Sequence, residues 1–219
     1  MKAFLTLLCL LPLAATAATH KVRFSLPESL PFTVSLVLPE SVSVAAHKKT
    51  ESGDSIRARI GDSDGAGMVV EVSDSKGNTL WSHDFGSNLS APEGNEIEVS
   101  YQPKSRLLLV HYQGYKWDHA HKLLFAEPDH KPPSVREYST AEKDILPLLK
   151  RQKDFASDYN YWIYPLRFTE RGIEFECIPI QKPERQTAHP FAQDQQWYLV
   201  TATVDTKRKI IPTDVKATH

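Results

Sequence analysis

The chain has 219 residues, of which 41% are hydrophobic and 24% charged, ordinary globular proportions that exclude wholesale disorder. Its formal charge of −1 lacks the basic excess of a nucleic-acid-binding protein. Beyond the first segment no run reaches the ~18 apolar residues of a membrane span.

Residues 1–17 read as a signal peptide. Lys2 precedes the apolar run from Ala3 to Leu13, and Ala15-Thr16-Ala17 is the small-residue pattern that signal peptidase cleaves. Cleavage after Ala17 leaves about 200 residues, enough for one large domain or two small ones. The competing reading, a buried N-terminal helix, would need an amphipathic pattern that the segment lacks. Cys9 leaves with the signal, so Cys177 is the mature chain's single cysteine. Without an internal disulfide the hydrophobic core alone must hold the fold. Cys177 shares the Ile173/Phe175 side of an alternating run, which predicts a buried, inert thiol. Asn88-Leu89-Ser90 is a glycosylation sequon. The short signal and scarce cysteines favour a periplasmic or secreted protein.

Residues 18–127 read as a β-sandwich-like domain. Strands are predicted at Val22–Phe24, Phe32–Leu38, Val42–Ala46, Ile56–Ile60, Met68–Val72, Thr79–Phe85, Ile97–Tyr101, Leu107–Tyr112 and Lys122–Phe125. Short turns separate them, the clearest being Ser75-Lys76-Gly77-Asn78. No helical period intervenes, so an antiparallel sandwich or jelly roll is expected over a parallel sheet with crossover helices.

Residues 128–138 contain three prolines and read as a linker or an extended crossing segment. Residues 139–219 read as a smaller α+β region. Ser139-Thr140-Ala141-Glu142 is a capping box, followed by Ile145, Leu148 and Leu149 at helical spacing. Pro147 predicts a kink or a helix restarting there and ending near Ala156. Two hairpins follow, Tyr161–Phe168 with Ile173–Ile178 and Trp197–Val204 with Ile210-Ile211. The polar segment from Gln181 to Gln196 joins them as a loop.

Three patterns suggest chemistry. Gly61-Asp62-Ser63-Asp64-Gly65 matches the G-x-S-x-G of serine hydrolases, but the β-branched run after it is strand-like, where a nucleophile elbow needs a helix. A polar hairpin turn is the better reading; an EF-hand loop starting at Asp62 fails because Ala66 and Ser73 fall where ligands are required, which leaves a non-EF calcium turn on Asp62 and Asp64 as the alternative. His119 and His121 share one face of a strand and could both reach a divalent metal. With Gly114 and Glu127 they approach the first metal motif of cupins, but two spacings differ, so no family is assigned. Finally, the stretch from His111 to His119 is rich in aromatic residues, and Tyr115 and Trp117 in its loop could offer flat faces to a ligand. Tyr159 and Tyr161 form a second candidate pair, with Trp162, Tyr164, Leu166 and Phe168 expected to face the core.

No catalytic constellation keeps its structural context, and no cofactor is expected. The sequence reading is an exported, non-catalytic binding protein for a glycan or another exported protein, inhibitor or immunity-type partners included. The alternative is a metal-assisted hydrolase or oxygenase built on His119 and His121.

Overall fold

The computed structural model describes residues 18–24, 32–40, 44–49, 55–60, 68–85, 95–113, 119–138, 141–170, 172–182, 195–205, 207 and 209–218. Among these the fold is mainly β, with fourteen strands in three antiparallel sheets and a single short helix.

The first sheet has the order β1 (Thr19–Phe24), β2 (Thr33–Pro39), β5 (Val69–Ser73), β6 (Thr79–Asp84). The turn between β5 and β6 is built by Asp74, whose carboxylate accepts from the Lys76 and Asn78 amides at 2.8 Å each and from the Asn78 side chain at 2.8 Å. Those hydrogen bonds hold the Asp74 carboxyl below its ordinary value. Gly77 takes φ +85°, a left-handed conformation that glycine adopts without a Cβ clash.

The second sheet has the order β10 (Ser134–Glu137), β9 (His119–Glu127), β8 (Leu107–Gln113), β7 (Asn95–Gln102), β4 (Ser55–Ile60), β3 (Val44–Lys49). The segment expected to be a linker therefore contributes a strand. Ser134, Val135, Arg136 and Glu137 pair with Glu127, Ala126, Phe125 and Leu124. Three prolines concealed it, yet all precede Ser134, so none occupies a rung of the ladder. Glu127 fastens the pair by accepting from Ser134 Oγ and Arg136 Nη2, each at 3.0 Å. Burial pushes the Glu127 carboxyl up, but those two donors outweigh it and hold the group below its usual range.

Strands β8 and β9 of this second sheet are covered on both faces. Leu108, Val110, Tyr112, Leu124 and Ala126 pack with Leu36, Met68 and Val70 of the first sheet. From the opposite face Leu107, Leu109, Leu123 and Phe125 enter a second core with the C-terminal elements. Two-sided burial explains the unbroken apolar run Leu107–Val110, which a strand wet on one side would alternate with polar residues.

The third sheet has the order β11 (Asn160–Thr169), β12 (Gly172–Ile180), β13 (Tyr198–Val204), β14 (Ile210–Ala217). Ile173, Phe175 and Cys177 of β12 point into the second core and are fully buried. Burial pushes the Cys177 thiol far above its ordinary value, so it is the inert packing group its alternation predicts. The β11–β12 turn is pinned to the second sheet by Gln102, whose side-chain amide donates to the Thr169 carbonyl at 3.0 Å and the Gly172 carbonyl at 3.3 Å.

Helix α1 (Ala141–Leu149) seals the second core with Ile145 and Leu149. It does not break or restart at Pro147, which sits inside it. Pro147 is exposed, as is Lys143, so the carbonyl that loses its donor can turn to water. Beyond Leu149 the chain continues as turns and not as the helix expected to reach Ala156.

Candidate functional site

On the face of the second sheet that looks toward the third, β8 and β9 present matched pairs. Leu107 lies opposite Phe125 and Leu109 opposite Leu123, then His111 opposite His121 and Gln113 opposite His119. The face thus changes from aliphatic to imidazole within one rung, and there the dry core ends.

The His111 and His121 rings are stacked with centroids 4.2 Å apart and planes inclined by 18°. Tyr164 of β11 stacks on the other side of His121, at 4.3 Å and 24°. Its hydroxyl donates to the Glu176 carboxylate of β12, which fixes the ring in place. Trp162, two residues earlier and on the same side of β11, tilts against Tyr164 at 5.4 Å and 58°.

The His121, Tyr164 and Trp162 rings line a cleft of about 430 Å³ between β9 and β11, within the size range of small-ligand sites. β10 stops at Glu137, opposite Leu124, the Tyr138 amide still donates to the Leu123 carbonyl at 2.7 Å, and β9 from Ala120 to Leu123 forms one wall. Lys122 reaches Glu137 at 2.7 Å. Glu142 enters from the first turn of α1. Tyr138, at the entrance to the helix, donates to Asp144. His83 comes from β6 of the first sheet. It stacks with Trp81 at 6.0 Å and meets Phe85 edge-on at 4.7 Å. Burial, reinforced by the Lys122 cation, holds His83 below its ordinary value, so the ring is neutral near pH 7 and can donate through one nitrogen and accept through the other.

A second cavity, of about 520 Å³, lies between α1 and the start of β11 and shares Glu142 with the first. It brings together Tyr159 and Tyr161, one of the candidate pairs read from the sequence. From Tyr161 to Tyr164 the facing of β11 is the reverse of the expected one, whereas Phe168, beyond the register shift between Pro165 and Arg167, packs on the second core as expected. Tyr161 is 8% exposed and belongs to the second core, whereas Trp162 and Tyr164 line the cleft. Tyr161 stacks flat on Phe155 at 4.9 Å and 16°, and its hydroxyl accepts from the Ala156 amide at 3.2 Å. Apolar and aromatic residues occupy both alternations of Tyr161–Leu166, so periodicity alone cannot assign the buried face. The turn that delivers Phe155 and the Ala156 amide decides it.

Tyr115 and Trp117 lie outside the described residues, as do Asn88, the Gly61–Gly65 pattern, residues 1–17 and the Ser139-Thr140 cap. His119 begins β9 opposite Gln113; its side chain is likewise outside the described set. Among the described residues no group of three or more His, Cys, Asp or Glu is placed to hold a metal ion, and none of their helices is long and apolar enough to cross a membrane. The cleft-lining side chains that sequence reasoning did not single out as site candidates are His83, Glu142, Trp162 and Tyr164. Only the last two carried a local signal, the aromatic density of β11.

No protein-family model, no curated protein and no solved structure matches the chain.

Proposed function

We propose that this is an exported, non-catalytic binding protein whose ligand is a glycan held in the cleft between β9 and β11. The observation that carries the reading is the pairing of Trp162 and Tyr164 on one wall of that cleft, in a fixed relative orientation. Sugars present flat C–H faces edged by hydroxyls. Aromatic rings complement the faces, and a few placed polar groups complement the rims. Here those polar groups are His83, Lys122 and Glu142. The rings arrive ordered by the His111–His121–Tyr164 stack and the Tyr164–Glu176 hydrogen bond, so little freedom is lost on binding.

The test is isothermal titration of residues 18–219 with a panel of neutral cello-, xylo-, malto- and chito-oligosaccharides of four to six units. Trp162→Ala should weaken a binding member by about 1 kcal/mol or more, fivefold or better, without unfolding the protein. Tyr115→Ala and Trp117→Ala test the other aromatic pair read from the sequence in the same assay. Affinity insensitive to Trp162 would exclude the cleft as the binding site. A panel that never binds, with a partner protein recovered from the export compartment, would replace the glycan by that protein.

A further inference from the structure

The second cavity carries a charge pattern that the first does not. Its walls include Lys150, at the end of α1, and Lys182, just past β12. Neither lysine forms an ion pair among the described residues. Among the described residues of the cavity wall Glu142 is the only carboxylate, so this lining carries two lysines and one glutamate. The floor is the rigid Phe155–Tyr161 stack, and Tyr159 adds a phenol to the wall.

The two cavities share Glu142 and both use β11. We infer that the glycan is acidic: a uronate-containing oligosaccharide whose neutral rings lie against Trp162 and Tyr164 and whose carboxylate sits between Lys150 and Lys182. The inference rests on the glycan reading above and adds a charge requirement to it. A lysine ammonium is a compact point charge with three donors, suited to a carboxylate that also keeps some water. An extended ligand leaves Glu142 at the junction, where it accepts from sugar hydroxyls and stays clear of the carboxylate.

The test uses residues 18–219 with tetragalacturonate, its fully methyl-esterified counterpart and a hyaluronan tetrasaccharide, titrated calorimetrically beside the neutral panel. The expected result is that at least one of the two uronates binds. If that is tetragalacturonate, its methyl ester binds at least about fivefold more weakly. The preference for acid over neutral chains collapses in Lys150→Gln/Lys182→Gln, with neutral binding unchanged. The preference also shrinks between about 50 and 500 mM salt, as screened charge pairs must. Circular dichroism confirms that the double variant is folded.

Equal affinity for acid and ester, or a double variant that keeps the preference, overturns the inference and leaves the glycan reading intact. Neutral chains binding while neither uronate binds has the same consequence. Uronate binding that needs the lysines but ignores Trp162→Ala upholds the acidic site and overturns the cleft. No binding of any oligosaccharide overturns both.

Discussion

Gly172→Ala isolates the joint on which β11, and with it the cleft, is mounted. Gly172 opens β12 at φ +148°, and a Cβ placed there would lie 2.1 Å from the Ala202 carbonyl oxygen of β13. Since non-bonded atoms settle near ~3.5 Å, the strands would have to separate by more than an ångström at the Ile173↔Ala202 rung. The positive φ costs about 1 kcal/mol. Loss of one ladder hydrogen bond costs about 1, and loosening of the fully buried Ile173 about another. The sum is about 3 kcal/mol, or a fall of about 1.5 M in the urea midpoint for a slope of about 2 kcal/mol per M. Gly77→Ala is the internal control. Gly77 also has a positive φ, +85°, but nothing lies within 4 Å of a Cβ placed on it, so only the backbone cost of about 1 kcal/mol applies. Equal midpoint shifts for the two variants would refute the close approach of β12 to β13.

Three further outcomes follow from the packing. Leu108→Ala and Leu109→Ala, adjacent in β8 but facing different cores, should each cost about 3 kcal/mol in urea unfolding; a Leu109→Ala within about 0.5 kcal/mol of the parent would mean that the second face is not covered. His83 is held below its ordinary 6.5, so the unfolded chain takes up the proton first, and the stability His83 contributes is complete above pH 6.5 and is lost as pH falls through that value toward the lower folded-state one. His83→Gln should flatten this part of the midpoint-against-pH curve, and an unchanged curve would contradict the assignment. Cys177 should resist an aromatic disulfide reagent at about pH 8 in the native protein and react at once in urea, because burial suppresses its thiolate; rapid native reaction would place it at the surface.

Much of the scaffold is legible in the chain itself. Strict alternation marks β4 and β12, and Asp74 and Gly77 give the β5–β6 turn the acceptor and the left-handed residue it requires. Other features are hidden for identifiable reasons. β10 lies behind three prolines that read as a linker, and α1 passes through Pro147 because the affected backbone faces water. The face of β11 is ambiguous because Tyr161 and Trp162 are equally plausible core residues until Phe155 is placed. The cleft is the least legible part. His83, His121, Glu142 and Trp162 stand on four separate elements, and only packing the first sheet, the third sheet and α1 around the second brings them together. Local aromatic density directs attention to Tyr115 and Trp117, which lie outside the described residues, and to β11, whose Trp162 and Tyr164 line the cleft.

The most direct measurement is a nuclear magnetic resonance titration of uniformly ¹⁵N-labelled residues 18–219 with the tightest-binding oligosaccharide. The chain has four tryptophans, so four indole N–H signals report on Trp81, Trp117, Trp162 and Trp197 separately once assigned by single Trp→Phe variants. A ligand in the cleft between β9 and β11 should shift the Trp162 indole and the Tyr164 and His121 amides together along one saturable curve while Trp197 stays in place. Saturable shifts at Trp117 or Trp197 with Trp162 unmoved would contradict it.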